Sequence, residues 1–139
     1  MNTKIYKQVL LLAGDLVSAA QKKDQKSFDQ YYQELKDICD EHDNTDKDHP
    51  VQWETLADFT DDLADAISLY EKALVKAEAI NSKDFRSSIG FAIATLQVEL
   101  GQESSAIMQL EKAKISCNKI ADQELKDEIN HLLARLTQD

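Results

Sequence analysis

Hydrophobic residues recur at helical spacing along most of the chain. Near the start, Ile5, Val9, Leu12 and Leu16 lie three or four positions apart, as on the buried face of an amphipathic helix. The same spacing, read with Ser, Asp and Pro start signals and a Gly stop signal, predicts seven helices. Their approximate bounds are 3–22, 25–41, 50–60, 62–80, 84–100, 104–119 and 123–137. Hairpin-turn dipeptides and sustained alternation are missing, so no β-strand is predicted.

One helix pattern occurs three times, at residues 27–35, 66–74 and 106–114, with offsets of 39 and then 40 residues. A repeat of this length is typical of stacked helical hairpins, in which each unit buries its apolar face against its neighbours. The sequence therefore predicts an all-α fold in a single domain, 1–139. Its repeats span about 3–42, 50–80 and 84–119, and an amphipathic helix at 123–137 caps the stack.

The repeated positions resemble the tetratricopeptide repeat family over about residues 50–119. That family has a small residue at the start of the second helix, an aromatic or large apolar residue four later and Ala three beyond. The matching residues are Ala66, Tyr70 and Ala73, and then Ala106, Leu110 and Ala113. Gly101 stands at the family's turn glycine, whereas the equivalent position before the second repeated helix is Asp61.

The first repeat matches less well, because it keeps Ser27 and Tyr31 but has Glu34 in place of the second Ala. The period also exceeds the commonest tetratricopeptide length by about five residues. A generic antiparallel array of helices is therefore the alternative architecture.

The resemblance implies an α-α superhelix of about three antiparallel hairpins whose first helices line a concave groove for a peptide. Alignment of the two better repeats gives six candidate groove residues: Val51, Thr55, Asp58, Phe91, Thr95 and Val98. For Phe91 and Val98 the alternative is that they are core residues of a central helix.

The formal charge of −10 arises in one segment, residues 37–65, which holds eleven acids and a single base, Lys47. One interpretation is a solvated loop with acidic helix starts. The other is an acidic docking surface for a basic partner. Its candidate residues are Asp40, Glu41, Asp43, Asp46, Asp48, Asp58, Asp61, Asp62 and Asp65. A surface of this charge disfavours nucleic acid, whose phosphates it would repel.

No catalytic or cofactor-binding motif appears in the sequence. Its three glycines form no phosphate-binding loop, and the stretch from Cys39 to His49 fits neither a zinc nor a calcium pattern. We therefore expect no enzyme activity, no cofactor and no metal. The two cysteines, Cys39 and Cys117, are predicted to be reduced and partly buried, as in a cytoplasmic protein. No segment has the length of a membrane span.

These features predict a non-enzymatic cytoplasmic module that binds another protein or peptide, a basic one included, in a helical-repeat groove. A second hypothesis is an immunity or antitoxin-type inhibitor that neutralises a basic toxin, such as a nuclease, through residues 37–65. A third is a secretion-type chaperone. The sequence indicates neither the partner nor an oligomeric state.

Overall fold

A computed structural model describes residues 2–138, and all regular secondary structure in that range is α-helical. The helices are α1 (Thr3–Gln21), α2 (Gln25–His42), α3 (Pro50–Asp58), α4 (Leu63–Ala79), α5 (Lys83–Glu99), α6 (Glu103–Cys117) and α7 (Gln123–Thr137). Every end lies within two residues of its predicted position. The all-α fold class is therefore confirmed.

Local hydrogen bonds explain why the helices begin where they do. The side chains of Asn2, Asp24, Asp62, Ser82 and Asp122 each accept a hydrogen bond from the backbone N–H three residues on. For α3 the cap is His49, whose Nδ1 accepts from the N–H of Val51 at 3.1 Å, next to Pro50 at the first helical position.

Small residues let α5 and α6 approach closely. A Cβ placed on Gly90 would lie 3.2 Å from the Cβ of Ala113, so glycine makes room for the facing helix. Ala73 and Ala113, two small positions of the repeat pattern, are buried. Gly101, at φ 75°, follows α5 and supplies the predicted stop.

The core forms two clusters that meet at α5. The first contains Leu16, Leu35 and Trp53 with other buried residues of α1 to α5, and the second contains Leu110 and Ile129 with residues of α5 to α7. Cys39 and Cys117 are buried free thiols in different clusters. Across residues 2–138, no helix is long and apolar enough to cross a membrane.

Each helix packs against the next one in the chain, and α1, α3, α5 and α7 also contact one another in series. Among residues 2–138, the even-numbered helices α2, α4 and α6 make no direct contact with each other. Helix α3 therefore lies beside α5, and α4 packs against both. This arrangement positions the side chains of the candidate site.

Candidate functional site

The acidic segment divides into groups near opposite ends of α3. Asp40, Glu41 and Asp46 are exposed at the end of α2 and in the loop that follows. Asp61, Asp62 and Asp65 are exposed at the turn into α4. The nine residues of α3 between them span about 13 Å.

Two acids of the segment are held by lysines of α4. Lys76 Nζ lies 2.7 Å from Asp43 Oδ1 and 2.8 Å from Asp48 Oδ2, and Lys72 Nζ lies 2.7 Å from Asp43 Oδ2. Trp53 Nε1 donates to Asp48 Oδ1 at 2.9 Å, and Lys72 sits 4.2 Å above the Trp53 ring. We call these five residues the lysine-bridged cluster. It ties the α2–α3 loop to α4.

Both aspartates of the lysine-bridged cluster are held in the charged form. Hydrogen bonds from Lys72 and Lys76 lower the pKa of Asp43. For Asp48, burial acts to raise the pKa, but Lys76, a backbone N–H and Trp53 together outweigh it and the pKa is lowered. Because these charges are already neutralised by lysines, they add less to the field outside the protein than the sequence suggests.

Two other carboxylates, Glu54 and Asp58, lie where α3, α4 and α5 meet. Ser88 Oγ of α5 donates to Glu54 Oε2 at 2.8 Å, and the hydroxyl of Tyr70 on α4 donates to Asp58. Within residues 2–138, no Lys, Arg or His forms a salt bridge with either acid. We call Glu54 and Asp58 the open carboxylate pair. They are one helical turn apart on α3.

The surroundings of the open carboxylate pair favour the protonated acids. Burial raises the pKa of Glu54 to about 7, although the Ser88 hydrogen bond opposes the shift, and the charge of Asp58 adds to it. Asp58 retains an exposed surface, but desolvation by the surrounding protein raises its pKa. The hydrogen bond from Tyr70 opposes this shift. A cation brought to this pair would stabilise the ionised forms. The arrangement is therefore suited to bind an ammonium or guanidinium group.

The candidate groove residues extend from the open carboxylate pair along both helices. On α3, half-buried Val51 and Thr55 flank Glu54, and Thr55 Oγ1 donates to the Val51 carbonyl at 2.7 Å. On α5, Phe91, Thr95 and Val98 continue the helical face that begins at Ser88. The Ser88–Glu54 hydrogen bond joins the two faces.

Phe91 and Val98 also take part in the core. Both are half-buried and pack against the cluster formed by α5 to α7. Thr95 Oγ1 donates to the Phe91 carbonyl at 2.9 Å, which leaves its methyl group for contacts. Only part of each side chain therefore remains available to a partner.

Sequence reasoning did not find Glu54, Tyr70 or Ser88 as parts of a site. Residues 54 and 88 are 34 positions apart, and only the packing of α3 on α5 brings them together. The sequence contained one indication of this site, the four-residue spacing that places Glu54 and Asp58 on the same face of a helix. Likewise, the four-residue spacing of Lys72 and Lys76 placed them on one face of α4 without identifying Asp43 as their partner.

The stretch from Cys39 to His49, which carries metal-ligand residue types, is arranged for other roles. Cys39 is buried and donates to the Gln52 carbonyl at 3.2 Å, and burial raises the pKa of its thiol to about 12. His49 caps α3 and packs edge-on against Phe85. In the described range 2–138, no three His, Cys, Asp or Glu side chains are grouped so that they could hold a metal ion.

Comparisons of the chain with family models, with curated proteins and with solved structures gave no match.

Proposed function

We propose that this chain is a non-enzymatic, cytoplasmic helical-repeat module that binds a segment of a partner protein between α3 and α5. In this proposal α1–α2, α3–α4 and α5–α6 are antiparallel hairpins of a tetratricopeptide-like superhelix, and α7 is its cap. The helix contacts support it, because the odd-numbered helices touch in series while the even-numbered ones are held apart. A stack with this contact pattern curves so that its odd-numbered helices line the concave side.

The observation that carries the binding proposal is the open carboxylate pair on the α3–α5 face. Glu54 is half-buried and accepts from Ser88, and Asp58 accepts from Tyr70, but neither has a basic partner within residues 2–138. Keeping such acids unpaired costs folding free energy. A Lys or Arg side chain of a bound segment would compensate both charges through charge-assisted hydrogen bonds. The neighbouring groove residues would contact its apolar positions.

The inhibitor hypothesis has narrower support. Exposed Asp40, Glu41 and Asp46 remain free to face a basic protein, and they are clustered at one end of α3. Asp43 and Asp48, however, are already occupied by lysines. Attraction through the exposed acids alone would be strongly screened by salt.

Capture of the partner from the native source, with elution in steps of increasing salt, is the experiment that identifies it. Titration of the purified partner against variants then tests the site. We expect Glu54→Gln combined with Asp58→Asn to weaken binding by about tenfold or more, because a partner cation loses both carboxylates. Binding by the unaltered chain should strengthen as pH rises through about 7, where Glu54 ionises.

The matched control is Asp40→Asn combined with Asp46→Asn, which removes two charges outside the α3–α5 face. If this control abolished binding and the Glu54 and Asp58 variant did not, the groove proposal would be wrong and the inhibitor hypothesis favoured. If neither variant lost binding, both the groove proposal and the inhibitor hypothesis would be contradicted.

A further inference from the structure

Two apolar depressions lie on surfaces that the proposed partner groove does not use. The first is between α1 and α2 and encloses about 440 Å³. Leu11, Leu12 and Ile38 form its apolar part, and its acidic rim consists of Asp15, Glu34 and Asp37. Among residues 2–138, no basic side chain lines it. Leu11 is 69% exposed. We call this depression the acidic-rimmed groove.

The second depression is a cleft of about 270 Å³ between α4 and α6, above α5. Gly90 and Ala113 form its floor, and Leu74 and Ile115 form apolar walls. Arg86 and Lys112 lie on its rim, where Glu78 is the one acid among the described residues. Ile115 is 73% exposed. We call this the basic-rimmed cleft.

The bases around the basic-rimmed cleft lack carboxylate partners. Arg86 donates through Nη2 to the neutral side chain of Asn81, and its buried Nε has no acceptor within residues 2–138. Next to Arg86, but outside the residues that line the cleft, the charge of Lys119 lowers the pKa of Lys83, with smaller effects of desolvation and of Arg86. Among residues 2–138, none of these bases forms a salt bridge. In a chain of charge −10, this concentration of uncompensated positive charge favours an acidic neighbour.

We propose that the basic-rimmed cleft of one copy of this chain docks on the acidic-rimmed groove of a second copy. The two surfaces have opposite charge, and each combines a depression with a protruding aliphatic side chain, Leu11 on one and Ile115 on the other. Burial of these side chains supplies hydrophobic free energy, while the charged rims set orientation.

The association is head-to-tail, because the two docking surfaces are different parts of the chain. A heterologous contact of this kind leaves one free groove and one free cleft on every dimer. Further copies can therefore add until a ring closes or the concentration limits growth. The α3–α5 face stays outside the contact, so the inference does not depend on the proposed partner binding.

Sedimentation equilibrium of the full chain tests the proposal at concentrations up to about 1 mM, which covers weak, transient contacts. We expect the average mass to rise with concentration above the 15.7 kDa of one chain. Leu11→Asp and Ile115→Asp should each remain monomeric. Both side chains are exposed, so the folded state should persist, which circular dichroism checks. The control is Leu100→Asp, at a 41% exposed leucine outside both depressions, which should associate like the unaltered chain.

Mixing the two monomeric variants tests the head-to-tail geometry directly. Leu11→Asp retains an intact cleft and Ile115→Asp retains an intact groove, so together they should form a discrete dimer of twice the chain mass and nothing larger. At the rim, Lys112→Glu should weaken self-association by about tenfold or more, whereas Lys114→Glu, outside the cleft, should not.

Three results would overturn the proposal. The first is an unaltered chain that stays monomeric at the highest concentration. The second is self-association that persists in either aspartate variant alone. The third is a mixture of the two variants that remains monomeric, which would indicate a symmetric contact or none.

Discussion

The lysine-bridged cluster and the open carboxylate pair take their acids from the same short segment, yet the two groups have opposite environments. Asp43 and Asp48 pair with Lys72 and Lys76, whereas within residues 2–138 the side chains that hydrogen-bond to Glu54 and Asp58 are hydroxyls. The first arrangement lowers the pKa of its acids and the second raises it. The difference shows that the side chains presented by the facing helices, more than the local density of acids, decide how each carboxylate behaves.

The two groups also have different consequences for the fold. The lysines tie the α2–α3 loop to α4, and the lowered pKa values of Asp43 and Asp48 favour the folded state at neutral pH. Acids with raised pKa values reduce stability at neutral pH, because their ionised form is better solvated in the unfolded chain. A stability cost of this kind is common at sites kept for binding. The comparison therefore assigns a structural role to one group and supports the recognition role proposed for the other.

The largest effect is expected from Lys76→Ala, which removes the cation that bridges Asp43 and Asp48. The two aspartates would then repel each other in a partly buried site, and we expect a loss of about 2–4 kcal/mol in unfolding free energy. Lys72→Ala is the control, because that side chain is 42% exposed against 11% for Lys76 and contacts only one aspartate. It should cost less than about 1 kcal/mol.

Denaturant unfolding followed by the fluorescence of Trp53, the one tryptophan of the chain, measures both changes. Equal losses in the two variants would contradict the central position assigned to Lys76.

A smaller, pH-dependent effect is expected at Glu54. Its pKa is about 7 in the folded state against 4.5 for an ordinary glutamate, so the folded chain holds a proton that the unfolded chain releases. The stability due to protonated Glu54 is therefore fully present below about pH 4.5 and is lost as pH rises through about 7. Glu54→Gln cannot ionise. From pH 4.5 to 8 it should gain roughly 1–3 kcal/mol relative to the unaltered chain.

Unfolding curves of both proteins across this pH range test the difference. Buried His49, whose lowered pKa also affects stability in this range, is present in both proteins, so its contribution cancels. Glu41→Gln, at an exposed position, serves as control and should follow the unaltered chain. A constant difference between Glu54→Gln and the unaltered chain would show that Glu54 is not buried as described.

The smallest effect is expected from Asp46→Asn. Asp46 is exposed in the α2–α3 loop and belongs to neither group. Its substitution should change the unfolding free energy by no more than about 0.5 kcal/mol. A loss as large as that of Lys76→Ala would mean that the lysine-bridged cluster extends to the exposed acids, and the contrast between the two groups would then disappear.

Helix bounds and much of the core could be predicted from the sequence, because the interactions behind them are local. Asp62 caps α4 through an N–H three residues away, and Gly101 ends α5 through its own backbone conformation. The small residues Ala73 and Ala113 occupy buried positions where the repeat pattern expected them. The charge asymmetry of residues 37–65 was also evident from composition alone.

Only the tertiary structure decided which acids are paired and which are open. Lys76 and Asp43 are 33 residues apart, and Ser88 and Glu54 are 34 apart, so no periodicity relates them. The pKa of Glu54 depends mainly on desolvation by burial, a property of packing that the segment's composition does not contain. Short-range hydrogen bonds and the spacing of apolar residues can be predicted from the sequence because they involve residues close together in the chain. Electrostatic partners lie on helices that come into contact only when the chain folds.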